Sequence, residues 1–135
     1  MKTLKSPAVL KKLRLPGTGN ILIVNAPKEY AKLLAGLAYD CAPSKKKEGG
    51  YDFVQVFGTT QSELEKLILK VAPSGRHDCL FWACYPKLGG AIKSDMKRET
   101  VWKALSLARL RPVAQIAIDD TWSALRGRPG GDISR

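Results

Sequence analysis

Apolar residues along this chain fall into two rhythms. Apolar-rich runs, "ILIV" at 21–24, "YDFVQVF" at 51–57 with Phe53, Val54, Val56 and Phe57 apolar, and "CLFWACY" at 79–85, alternate with stretches where apolar positions recur every three or four residues. Such near-continuous runs suit strands covered on both faces, as in a parallel sheet. The spaced positions suit helices with one buried stripe. Tyr30, Leu33, Leu34 and Leu37 mark a helix after the first strand, started at Pro27, whose missing N–H costs nothing in a first turn. Leu64, Leu67, Ile68 and Val71 mark a second, opened by a capping-box spacing from Thr60 to Glu63 and stopped by Pro73 and Gly75. Val101, Ala104, Leu105 and Ala108 mark a third; Trp102 widens its buried face, and Ser94 or Asp95 is placed to cap it.

The pattern changes near the C-terminus. "PVAQIAI" (112–118) and the β-like run at 121–127 are separated only by Asp119-Asp120, the length of a tight hairpin turn. The order is therefore β-α-β-α-β-α-β-β. It implies an α/β, three-layer, Rossmann-like sheet, mostly parallel, with right-handed crossovers and helices on both faces, closed by an antiparallel hairpin. Residues 18–128 form the single domain, 1–17 a basic N-terminal arm and 129–135 a C-terminal tail. The arm and the 42–50 loop, with its lysines, proline and glycines, are expected to be the most mobile parts.

Composition adds little to this picture. A chain of 135 residues with 44% hydrophobic and 26% charged positions is an ordinary globular domain with room for a core. The N-terminal segment is basic but lacks the apolar stretch and cleavage site of a secretory leader, and a cytoplasmic protein is expected. Cys79 and Cys84 share a strand at odd spacing, so alternation puts them on opposite faces as buried, reduced thiols. No metal site is expected from them. The net charge of +11 suggests an anionic partner, yet it is spread over the arm, Lys45–Lys47 and residues 87–111.

Candidate chemistry is sparse. His77 is the single histidine and stands at a strand start, opposite the usual active edge of such a sheet. No nucleophile elbow is present, so no catalytic residue is assigned. Asp119 and Asp120 read as turn residues. Where parallel strands end, helix starts expose free N–H groups, and Lys28, Thr60, Lys87, Lys93 and Ser94 would gather there as an anion- or ligand-binding set. Gly89-Gly90 would let the loop adjust. The competing reading makes Ser94 or Asp95 a plain cap and the lysines solvated. Trp122 and Arg126, on the last strand, are candidate partner contacts, with core packing the alternative for the tryptophan.

This ordering resembles a shortened S-adenosylmethionine-dependent methyltransferase fold. "YDFVQVF" resembles that superfamily's fourth strand, and "LILKVAPSGRHDCLFWACYP" its helix, Pro-Gly turn and fifth strand. The resemblance covers residues 18–128 and implies a strand order of 1-4-5-7-6, with the second and third strands lost or reduced. "YPK" (85–87), "IKSD" (92–95) and "AIDDTWSALRGRP" (117–129) are similar to a small bacterial family of domains of unknown function. Two departures from the methyltransferase pattern stand out. The turn after strand one is Asn25-Ala26-Pro27, without the glycine that lets a cofactor approach, and the acid that would hold a ribose has one stand-in, Asp40.

Three functions follow. The first is a non-catalytic α/β domain acting through protein association, with a partner or with itself, and without a cofactor. The second is a binder of a phosphate- or nucleotide-bearing small molecule, or a degenerate methyltransferase-like enzyme using S-adenosylmethionine, at the strand C-terminal edge. The third is nucleic-acid binding through the basic surface, for which no recognised motif appears.

Overall fold

Strands β1 (Ile21–Val24), β2 (Tyr51–Phe57), β3 (Gly75–Pro86), β4 (Leu110–Ala117) and β5 (Trp122–Pro129) build one sheet in the order β1-β2-β3-β5-β4. The structure, a computed structural model, describes residues 11–15, 19–34, 37–87 and 92–129. β1, β2 and β3 run parallel, while β5 runs antiparallel to β3 and to β4. Helices α1 (Lys28–Leu33), α2 (Gln61–Val71) and α3 (Arg98–Leu107) follow the three parallel strands. With β1 to β5 standing for methyltransferase strands one, four, five, six and seven, this is the expected order. Where the second strand would lie, Asp40 alone among the described residues is paired, bridged in parallel to Leu22.

Alternation along the strands separates two cores. Leu22, Val54, Val56, Phe81, Ala83 and Tyr85 pack with Leu64, Ile68 and Val71 of α2 and Val101, Ala104 and Leu105 of α3. Ile21, Ile23, Phe53, Phe57, Trp82 and Trp122 face the other way, toward Tyr30 and Leu34 of the α1 segment. Cys79 belongs to the first core and Cys84 to the second, both as free thiols, as strand alternation requires. One polar chain crosses the second core. The Tyr30 hydroxyl donates to Gln55 Oε1 at 2.7 Å, and Gln55 Nε2 donates to Cys84 Sγ at 3.3 Å. Burial pushes the tyrosine hydroxyl and the thiol up in pKa, so both stay neutral.

Several expectations need correction. Residues 11–13 are helical, Leu13 is fully buried, and its carbonyl accepts from Trp82 Nε1 at 2.9 Å, so the basic arm is partly core. Residues 1–10 and 16–18 of that arm, and 130–135 of the tail, lie outside the described residues. The 42–50 loop folds against the sheet: Lys45–Lys47 form a 3-10 turn, Ser44 N–H donates to Tyr51 Oη, and Gly49 N–H to the Ser74 carbonyl. The hairpin forms as expected, but four residues, 118–121, separate its strands. There Asp119 Oδ1 accepts from the N–H groups of Thr121 and Trp122, both at 2.8 Å, which is turn chemistry.

Trp102 is the largest departure. Expected in the core, it is 49% exposed, because Val101, Ala104 and Leu105 already fill the face of α3 that meets the sheet.

Candidate functional site

The parallel strands end along one edge, and their helices leave it on different faces. α1 follows β1 onto the Trp82 face and α2 follows β2 onto the opposite one. Diverging connections open a crevice outside the strand ends, the place where folds of this class take ligands. Here it lies between the end of β1 and the end of β2.

Asn25 forms the first wall, with φ at 66°. This left-handed region favours glycine, and asparagine tolerates it better than most residues. The turn thus has the conformation that its lack of glycine seemed to deny it. Its side chain then spans the crevice: Nδ2 donates to the Phe57 carbonyl at 3.0 Å and reaches Glu63 Oε2 at 3.4 Å.

The second wall is the start of α2. Thr60 is the N-cap, and its hydroxyl accepts from Glu63 N–H at 3.1 Å. Glu63 reaches back, accepting from Thr59 N–H at 2.8 Å and from the Thr59 hydroxyl at 3.1 Å. The Thr59 N–H is the first cause holding the Glu63 carboxyl below its ordinary range. Gly58 is required where β2 turns into α2, since a Cβ there would lie 2.8 Å from Leu64 Cβ and 3.0 Å from Leu64 Cα.

Asp95 closes the arrangement from a third segment. Its Oδ1 accepts from Gln61 N–H, in the first turn of α2, at 2.9 Å. This overturns the expectation that Ser94 or Asp95 caps the following helix. The N-cap of α3 is Lys97, whose N–H donates to Thr100 Oγ1 at 3.0 Å, while Ser94 Oγ accepts from Met96 N–H. A Ser-Asp pair before an apolar stripe signals a helix start in sequence, but it cannot say which helix the carboxylate serves.

The predicted ligand set is placed as follows. Lys28 opens α1 and is exposed, Thr60 caps α2, and Lys87 is half-buried just past β3, its N–H donating to the Thr121 carbonyl at 2.8 Å. The bond from Gln61 to Asp95 brings the Lys93-Ser94 segment toward the start of α2. Gly89-Gly90 lie outside the described residues. Among the described residues, Lys28, Lys87 and Lys93 form no ion pair. At the start of α2, the Gln61 N–H already binds the Asp95 carboxylate and the Glu63 N–H the Thr60 hydroxyl.

Trp122, a candidate partner contact, is instead 6% exposed and packs edge-on against Phe57 at 5.2 Å between ring centroids. It lies on β5, inside the sheet, with β4 outside it. Arg126 is half-buried on the same strand.

The fold has many solved likenesses. A methyltransferase dependent on S-adenosylmethionine, from Aquifex aeolicus, superposes with a TM-score of 0.59 at 12% identity, covering 90% of this chain and 88% of that one. This chain has a methyltransferase-like Rossmann fold. Magnesium protoporphyrin IX methyltransferase from Synechocystis, with bound SAH, gives 0.58 at 12% identity over 94% of this chain and 83% of that one. The Burkholderia thailandensis 1,6-didemethyltoxoflavin-N1-methyltransferase, with bound 1,6-didemethyltoxoflavin and S-adenosylhomocysteine, gives 0.54 at 12% identity over 93% of this chain and 76% of that one. No family model matches the sequence, and no curated protein matches it by sequence. Among the described residues, no group of three or more His, Cys, Asp or Glu could hold a metal ion, and no helix is long and apolar enough to cross a membrane.

Proposed function

We propose that this chain is a non-catalytic methyltransferase-like domain that acts through protein association. The observation carrying this reading is the side chain of Asn25, which ties the end of β1 to the end of β2 and to Glu63 across the ligand crevice. The methyltransferase resemblance asks for an open glycine turn and a free acid on the second strand. Asp40 does not serve as that acid. Its Oδ2 accepts from Tyr51 Oη and pairs with Lys47 Nζ at 3.1 Å, so the carboxylate is already engaged by the chain's own side chains. The tyrosine hydroxyl is the first cause holding Asp40 below its ordinary range. The residues present therefore do not fit the cofactor in the way the fold's relatives would hold it.

Titration calorimetry and thermal melts with S-adenosylmethionine and S-adenosylhomocysteine test the reading. A ligand that binds only the native state at one hundred times its Kd stabilises it by about 2.7 kcal/mol, a shift of several degrees. Unchanged melts at millimolar ligand are expected. A saturable heat with a matching rise in Tm would overturn the reading and make the lysines of the edge the next residues to mutate.

A further inference from the structure

Apolar surface is left open on the far side of the molecule. β4 ends the sheet, with β5 as its single strand neighbour among the described residues. Val113, Ala114, Gln115 and Ala117 of that strand are exposed. Between β4 and α3 runs a groove walled by Arg98, Trp102, Pro112, Val113 and Gln115 and floored by Leu125. Trp102 is 49% exposed and Val113 42%.

The outer edge of β4 can still form a ladder. The Ile118 N–H donates to the Trp122 carbonyl, toward β5. Antiparallel strands alternate the direction of their polar groups, so Gln115 and Ala117 turn theirs outward. Pro112 and the register shift between Pro112 and Ala114 close the other half of the edge, the usual protection of an exposed strand. What remains has room for a short incoming strand, beside a large aromatic side chain and arginine, the residue types that dominate binding hot spots.

Charge decides the occupant. Residues 97–115 carry five cations (Lys97, Arg98, Lys103, Arg109, Arg111) against one acid, Glu99. A second copy would bring like charges face to face across a two-fold contact. Single-stranded nucleic acid stacks on successive aromatic faces, and this groove offers a single one, Trp102, beside Arg98, Pro112, Val113 and Gln115.

Resting on the association reading above, we propose that β4 and the Trp102 groove take an acidic, extended segment of a partner protein. The segment adds as a strand beside Gln115 and Ala117, sets an apolar side chain against Trp102 and Val113, and lays a carboxylate over Arg98, the charged side chain that lines the groove.

Selection of displayed random twelve-residue peptides on the full chain tests this. The recovered peptides should be net acidic with alternating apolar residues. Their binding, read by fluorescence anisotropy, should weaken at least tenfold in Trp102→Ala and in Arg98→Glu, and should slow hydrogen exchange at Gln115 and Ala117. Both variants alter exposed side chains, and matching wild-type melts will confirm that they fold. An empty selection, neutral or basic peptides, or acidic peptides indifferent to both variants would overturn the proposal. So would an oligouridine Kd, or a sedimentation-measured dimer, that Trp102→Ala abolishes, since each assigns the groove to another occupant. Binding of S-adenosylmethionine in the earlier titration would sink the non-catalytic reading alone, and peptides mapping elsewhere would sink this surface alone.

Discussion

Gly58→Ala adds one methyl group at a close approach between the end of β2 and α2. An ideal Cβ at this position lies 2.8 Å from Leu64 Cβ, 3.0 Å from its Cα and 3.1 Å from its N. Comfortable carbon contacts are ~3.5–4.0 Å, so the helix would have to retreat by roughly 0.5–1 Å. Two of the three atoms are backbone, and no rotamer change relieves them. Retreat is opposed on every side, because Leu64, Ile68 and Val71 are buried and Asp95 and Asn25 hold the helix start. Overpacking of this kind costs about 1–3 kcal/mol. With a urea m-value of about 2 kcal/mol/M, the unfolding midpoint should fall by roughly 0.5–1.5 M with unchanged slope. Amides of residues 61–64 should also lose hydrogen-exchange protection before those of β3. A midpoint within 0.2 M of wild type would mean that β2 and α2 do not meet this closely, and the account of the crevice would go with it.

Further outcomes follow from the same contacts. Asp95→Ala removes an acceptor and a negative charge from the start of α2 and should cost about 1 kcal/mol in chemical denaturation; no loss would show that the cap from the distant segment is idle. Trp122→Ala should cost about 3–5 kcal/mol through lost burial against Phe57, whereas Trp102→Ala should stay within about 1 kcal/mol. Equal losses would contradict the burial assigned to the two rings. Asp52 is held below its ordinary range first by Arg76, whose Nε lies 2.7 Å away, and next by the Asn20 N–H. Because the folded pKa is depressed, its contribution is full above the unfolded value near ~4 and is lost as pH falls through the folded one. Urea midpoints at pH 7 and pH 3 should therefore diverge less in Asp52→Asn than in wild type, and parallel losses would refute this.

The sheet order and the helix faces were legible because each element obeys its own periodicity and connects by a short crossover. The opposite-face cysteines followed from alternation alone. Trp102 was misread because a helical stripe has a width that spacing does not set: three smaller residues met the sheet, and the largest was left outside. Asn25 was undervalued for a related reason. Residue type showed that a glycine was missing, but not that asparagine would take the left-handed turn and carry an amide across to β2. Asp95 shows the general difficulty. Local sequence reports which groups can cap, while the choice of helix depends on contacts made 34 positions apart.

Gln55 sits at the centre of β2 with no exposed surface, its amide bound on one side by the Tyr30 hydroxyl and on the other by the Cys84 sulfur. Every other inward position of that strand is hydrophobic or aromatic and would accept a neighbour of similar size. A slip of β2 by one residue would turn this amide into the α2 core, where those two partners are out of reach. An unbonded amide there costs about 1–3 kcal/mol or more, a penalty that mispaired sheets meet and the native one avoids. The network therefore acts as a check on strand pairing during folding. Gln55→Leu leaves the buried Tyr30 hydroxyl without its acceptor, so it should lose about 1–3 kcal/mol of stability and also refold to more than one species, visible as doubled resonances for β2 and β3.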